Sequence, residues 1–328
     1  MDALSIPALA DKLRTEADAY EFLEDLRWNG KPICPHCGSV RKPYFLAPAN
    51  GESRKTRTGT ASQRRVWKCA DCRKQFSVLT GTIFHGTKIP VRTWVFVIFE
   101  MCSSKNGVSA REIERKYKLT PKSAWFLTHR IREAMKREPM AGLLSGRVVA
   151  DETWIGGNPR NRRGGADPRK PSKRPGKGFT DKTPVVSLVS RETGEVRSRV
   201  VPTVNGENLR SVLVEHVDAP STHLHTDSGP YYRKIVDDFA EHSIVNHAQG
   251  EYVRGDVSTN QAENYFSQLK RSIDGTHHHV SREHLDRYLA EFDFRHTTRK
   301  SSDTERVSLL GQQVGGKRLT YRKPACGQ

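Results

Sequence analysis

Two short cysteine pairs set the strongest constraint on what this chain can fold into. Cys34-Pro35-His36-Cys37 and Cys69-Ala70-Asp71-Cys72 are separated by 31 residues. Each CxxC makes a tight knuckle that aims two thiolates at one point, and two knuckles give the closed S₄ tetrahedron that Zn²⁺ prefers in structural sites. A zinc ribbon over 31–88 is therefore expected, with Cys34, Cys37, Cys69 and Cys72 holding one structural Zn²⁺ and His36 as a reserve donor inside a knuckle. A redox reading of the pairs is weaker, because they flank β-type segments at 65–68 and 75–79. The polar, basic stretch 51–65 (GESRKTRTGTASQRR) reads as a hairpin loop projecting from the metal site and able to touch phosphates. Cys102 and Cys326 stand apart from the pairs, and Cys102 falls in an apolar helix as a core residue.

Charge narrows the class of partner. The chain carries 55 Lys+Arg against 37 Asp+Glu, a net charge of +18 over 328 residues. Neutralising phosphates releases counterions and drives binding, so a nucleic acid is the expected partner. At 35% hydrophobic content there is enough apolar material for two or three domains. The N-terminal segment 1–30 is acidic and helical in pattern, without the apolar stretch of a signal peptide. The longest apolar run, WVFVIF at 94–99, is too short to cross a bilayer. A soluble, intracellular, cytoplasmic protein with no membrane partner is the expectation.

Residues 89–140 read as a helix-turn-helix DNA-binding region. A buried helix at 94–101 precedes 107–135, where Ser109 can cap a helix carrying Ile113 and Tyr117. Lys118-Leu119-Thr120 make the turn, and Pro121 opens a second helix with Ala124, Leu127 and Ile131 inward. That leaves Lys122, Ser123, Phe126, His129 and Arg130 to face a major groove.

The pattern changes at Gly146. Residues 146–300 combine three hairpin-linked strands with alternating helix and strand, an α/β layer built on one mixed sheet. The first strand, GRVVADETWIGG, delivers Asp151 and Glu152. Between it and the second strand lies a Gly-, Pro- and Arg-rich insert, 158–182, which contains Arg162 and Arg163, cannot bury a core and can order on a nucleic-acid backbone. A later short strand ends at Asp227. The stretch 258–272, STNQAENYFSQLKRS, is an amphipathic helix: Tyr265, Phe266 and Leu269 supply its apolar side, while Asn260, Glu263, Ser267 and Lys270 share the polar one. Residues 301–328 read as a C-terminal tail.

Two carboxylates on separate strands and a third on a later helix form the arrangement a two-metal phosphoryl-transfer site needs, since hard divalent ions want carboxylate oxygens on both sides of the scissile phosphate. Glu152 is expected to point away from Asp151 and pair with a basic neighbour, and His225 to be either a core residue or a support for Asp227.

Asp151 stands 76 positions before Asp227, Asp227 and Glu263 are separated by 35 residues, and Lys270 follows Glu263 by seven. This spacing resembles the DDE triad and trailing basic residue of transposases with a ribonuclease H-like catalytic core. CPHCG with CADC, SVLTGTIFHGTKIPVRTW (77–94), DETWIGG, HTDSGPYY, NQAENYFSQLKRSIDGTHHHVS and HLDRYLAEFDFR (284–295) together resemble the ISXO-like insertion-sequence transposases, from about residue 19 to 300. The resemblance implies that Asp151, Asp227 and Glu263 hold two Mg²⁺ or Mn²⁺ ions, with Asn260 as the alternative third ligand, because related enzymes differ between Glu and Asn. It implies that water attacks the transposon-end phosphodiester, that the freed 3′ hydroxyl attacks target DNA, and that Lys270, with Arg271 beside it, contacts DNA near the cut. Terminal inverted repeats and target DNA would be the partners, held by a homodimer or larger oligomer. A non-catalytic DNA-binding regulator and a nuclease without strand transfer are the alternatives.

Overall fold

In the computed structural model, residues 3–47, 63–136, 142–156, 182–235, 238–245, 253–254 and 257–320 are described. They divide into two compact units, one formed by Met1–Met135 with Ser301–Gln328 and the other by Lys136–Lys300.

The first unit is helical around a small ribbon. Helix α1 (Ile6–Lys12) and α2 (Glu16–Trp28) lead into strands β1 (Tyr44–Phe45), β2 (Trp67–Lys68) and β3 (Gln75–Phe76), which pair antiparallel in that order. Thr15 and Asp18 form a reciprocal capping box at the start of α2, and Asn29 ends it in the left-handed conformation. Helix α3 (Val91–Ser103) is the apolar centrepiece, with Trp94, Val97, Ile98 and Met101 buried. Helices α4 (Ala110–Tyr117) and α5 (Pro121–Met135) follow the sequence grammar closely: the Ser109 side chain accepts from the Glu112 N–H, and Lys118 turns the chain at φ 51°.

The segment read as a C-terminal tail is instead part of this unit. Ser302 and Glu305 make a second capping box, and α9 (Asp303–Gln312) packs on α2 and α3 with Val307 and Leu310 fully buried. The weak apolar content of DTERVSLLGQ conceals how closely it docks. A Cβ at Gly311 would meet the Leu26 side chain at 2.3 Å.

The second unit is an α/β layer on one five-stranded mixed sheet. Its strands β4 (Leu144–Ile155), β5 (Thr183–Ser190), β6 (Val196–Val200), β7 (Val217–Asp227) and β8 (Glu241–Val245) lie in the order β6-β5-β4-β7-β8. β4, β5 and β6 form an antiparallel meander, whereas β7 and β8 run parallel to β4. Helix α6 (Gly206–His216) makes the crossover to β7. A short hairpin, β9 (Val253–Arg254) and β10 (Val257–Ser258), precedes α7 (Asn260–Ser272), and α8 (Leu285–Thr297) closes the unit. This is the ribonuclease H-like α/β class expected from the sequence.

Strand alternation assigns the two faces. Val148, Ala150, Val186 and Leu224 pack with Leu209 and Leu213 of α6, while Val149, Val185, Val189 and Val196 pack with Ala262, Tyr265, Phe266 and Leu269 of α7 and Leu289 of α8. Tyr265 adds a polar lock to the second face. Its hydroxyl donates to Asp293 Oδ1 of α8 at 2.6 Å, and the same carboxylate accepts the Ser198 N–H at 2.8 Å and hydroxyl at 2.7 Å from β6. Burial pushes the Asp293 carboxyl up to about 6 in spite of these donors.

The tight seat of α9 is directly testable. Gly311→Ala forces the buried Leu26 side chain to move, so a loss of about 1–3 kcal/mol in the stability of the helical unit is expected, read as a shift in denaturant midpoint.

Candidate active site

Asp151 lies in the central strand and Asp227 at the end of its parallel neighbour. The parallel ladder runs from Leu144↔Val217 to Val149↔His225 and stops there. Two residues further along each strand, on the same face, are Asp151 and Asp227. The ladder therefore ends one side-chain repeat before the two carboxylates would face each other. Beyond that point β4 continues to Ile155 paired with β5 alone. Helix α7 packs Ala262, Tyr265, Phe266 and Leu269 against this face, and Asn260, Glu263, Lys270 and Arg271 are exposed.

The charges of Asp227 and Glu263 both act on Asp151. Burial, followed by repulsion from Glu152, Asp227 and Glu263, pushes the Asp151 carboxyl up to about 7 against a donated N–H from Glu152 at 2.8 Å. Asp227 is held by its own turn, since the Gly229 N–H donates to its Oδ1 at 2.9 Å. Glu152 departs from expectation. Its partner is the Tyr232 hydroxyl, not a basic side chain, and burial together with Asp227 raises its carboxyl to about 7. The 3-10 turn Pro230–Lys234 carries Tyr232, which is 1% exposed. Sequence reasoning missed this contact because Tyr232 lies 80 positions from Glu152 and signals only as one more aromatic. His225 is fully buried with its ring against His223 at 4.4 Å, and burial lowers it to about 4.

The arrangement supplies only oxygen donors on three separate elements, in a place where negative groups repel one another. That chemistry suits a hard divalent cation. Asp151, Asp227 and Glu263 are set more widely than the cysteine cluster, whose four ligand atoms all lie within 4.8 Å of one another.

The cysteine site has the geometry of its expected metal. Cys34 Sγ and Cys72 Sγ are 3.7 Å apart, as are Cys37 Sγ and Cys69 Sγ. Zn–S bonds of about 2.3 Å in a tetrahedron require S–S edges of about 3.8 Å, so the four thiols fit a structural Zn²⁺. His36 stays outside the cluster and reaches the Gln75 carbonyl at 3.2 Å.

The helix-turn-helix residues divide. Lys122 is exposed and Ser123 half-buried in the first turn of α5. His129 and Arg130 are corrected: they are 0% and 5% exposed, and Arg130 donates to the His85 carbonyl at 2.7 Å while stacking over Trp94. Helix α5 buries most of its length between α3, α4 and the ribbon's trailing segment, so it presents its N-terminal turn instead of a full face. Exposed Arg115, Lys118 and Lys122 have no ion-pair partner among the described residues. Arg162 and Arg163 lie outside the described residues, as does most of the insert 158–182. Among the described residues no helix is long and apolar enough to cross a membrane.

A Halobacterium salinarum protein described as an uncharacterized protein in transposable element ISH50 is 26% identical over 301 residues, covering 90% of this chain and 96% of that protein. A chain of the simian T-cell lymphotropic virus intasome in complex with PP2A regulatory subunit B56 gamma aligns at 12% identity over 55% of this chain and 63% of that one. The TM-score of that alignment is 0.29. The transposase zinc-ribbon model matches residues 14–75. The ISXO2-like transposase domain matches residues 143–297, and with that domain joined to the zinc ribbon the chain belongs to the ISXO2-like transposases.

Proposed function

We propose that the protein is a metal-dependent DNA transposase that binds the terminal inverted repeats of an insertion sequence, cleaves the phosphodiester at each end and joins the freed 3′ hydroxyl to target DNA. The convergence of Asp151, Asp227 and Glu263 within a transposase-family domain carries this reading. Those three side chains would hold two Mg²⁺ or Mn²⁺ ions, with Asn260 as the alternative third ligand. Bound there, the ions would acidify the attacking water or hydroxyl and neutralise the charge that builds on the phosphate.

The chain's own residues do the rest. Asp151 and Asp227, on neighbouring strands just past the end of their ladder, would set where the scissile phosphate sits, with Glu263 contributed by α7. Lys270, seven residues along the same helix face, and Arg271 are exposed where they can hold the phosphates of the strand being cut. In the other unit the α4–α5 turn offers Arg115, Lys118 and Lys122 to a DNA backbone, with Ser123 beside them. Joining two ends at one target requires both to be held together, so at least a dimer assembles on DNA.

Incubating a labelled transposon end with Mg²⁺ and a target plasmid tests the reaction. Joined product supports transposition, cleavage without joining indicates a nuclease, and binding without cleavage indicates a regulator. Asp227→Ala is expected to abolish joining and leave end binding within about twofold, because a metal ligand is lost without touching the phosphate-binding residues. Lys122→Ala should weaken end binding across sequences and lower the slope of log K against log salt by about one.

Proton competition gives a separate check. Both Asp151 and Glu152 hold their protons to about pH 7, above the ordinary carboxylate range. Metal binding must therefore expel protons below that pH. Mn²⁺ affinity measured calorimetrically should fall by about tenfold or more between pH 8 and pH 6, with proton release visible as buffer-dependent heat.

A further inference from the structure

The mechanism leaves one half-buried acid without a task. Glu152 sits between the central strand and the turn after Asp227, on the opposite face of β4 from Asp151. Its even-numbered neighbours Val148 and Ala150 pack with Tyr232 on the α6 side of the sheet. From there the Glu152 carboxylate accepts the Tyr232 hydroxyl. The Tyr232 N–H donates back to the Gly229 carbonyl at 3.3 Å, and the Gly229 N–H donates to Asp227 Oδ1 at 2.9 Å. At the other end, the Glu152 N–H donates to Asp151 Oδ1 at 2.8 Å. A continuous hydrogen-bonded chain thus runs from one aspartate to the other through Glu152, Tyr232 and Gly229. Residue 229 must be small for it to close, since a Cβ there would lie 2.9 Å from Asp227 Oδ1.

We propose that Glu152 is a positioning residue that, through Tyr232, fixes the separation of Asp151 and Asp227 and so sets the affinity of the site for its divalent ions. The proposal rests on the transposase reading only in taking these two aspartates as metal ligands. The β4–β7 ladder has ended before this point, so backbone pairing no longer fixes the distance between the two strands. Like charges at Asp151 and Asp227 push them apart. The Glu152–Tyr232 bond is the tie that crosses the gap from behind, where it cannot compete with the ions for the aspartates' free oxygens. Glutamine at 152 would still accept from the tyrosine; alanine would not.

Titration of Mn²⁺ into metal-free protein at pH 8, for wild type, Glu152→Gln, Glu152→Ala and Tyr232→Phe, tests this without any DNA reaction. Glu152→Gln should bind within about twofold of wild type, whereas Glu152→Ala and Tyr232→Phe should bind about tenfold more weakly with unchanged stoichiometry. End cleavage by the two weakened variants should recover at saturating Mn²⁺, a shift in metal requirement and not in turnover. Tyr232→Phe titrating like wild type would overturn the proposal. So would Glu152→Gln losing an ion or matching Glu152→Ala, because Glu152 would then be a ligand itself. Should Tyr232→Phe lose its cooperative thermal transition, the Gln-against-Ala comparison decides alone. If the predicted affinity ratios hold but no variant joins DNA, the inference stands and the transposase reading fails.

Discussion

Like-charge repulsion among carboxylates is the constraint around which the α/β unit is organised. Repulsion from Glu152, Asp227 and Glu263 adds to burial in raising the Asp151 carboxyl, and repulsion from Asp227 adds to burial in raising that of Glu152, in a chain whose net charge is +18. No group of acids gathers this way unless something stronger holds it, and here the holding is done by apolar burial. The α7 side chains Tyr265, Phe266 and Leu269 dock on Val149, Val185 and Val189, and the Tyr265–Asp293–Ser198 network pins α7 and α8 to the sheet edge. Each fully buried side chain of this kind contributes about 1.5–3 kcal/mol, more than the repulsion between partly solvated carboxylates removes.

The helical unit solves a different problem with the same means. Arg130 and Arg132 are buried in α5, and α5 is held by α3 and α4 on either side. Burying a guanidinium demands partners, which Arg130 finds in the His85 carbonyl and the faces of Trp94 and Phe126. Desolvation lowers Arg130 to about 10 without neutralising it at physiological pH. In the α4–α5 hairpin the exposed cations Arg115, Lys118 and Lys122 lie at the helix ends and the turn.

Much of this was legible in the sequence because it is local. Paired CxxC knuckles, the Ser109 cap with Pro121 two turns and a corner later, and the period of STNQAENYFSQLKRS each fix their structure through neighbours a few residues away. Those signals placed Cys34, Cys37, Cys69 and Cys72 together and put Glu263 and Lys270 on one exposed face. What failed was long-range. The period of α5 marks Ala124, Leu127 and Ile131 as inward, but it cannot tell that α3 and the segment around His85 cover the adjacent stripe and bury His129 and Arg130. The docking of α9 on α2 depends on one glycine opposite one leucine. The Glu152–Tyr232 contact joins two parts of the chain that only the sheet order brings together.

The electrostatics of the whole chain then give the proposed metals a second consequence. A surface with this excess of Lys and Arg would attract DNA from a distance on the order of the Debye length, about 8–10 Å, without regard to sequence. At the carboxylates the charge is of opposite sign, and a phosphate arriving there would be repelled by Asp151, Asp227 and Glu263. Divalent cations seated among them would invert the sign locally, so the same DNA that the basic surface gathers would be admitted to the cutting position only when the ions are in place. Loading of metal and entry of the scissile phosphate would thereby be coupled through charge. The steepness of that coupling depends on how closely the aspartates are held, which returns the chemistry to the spacing of two strands just beyond the last pair of their ladder.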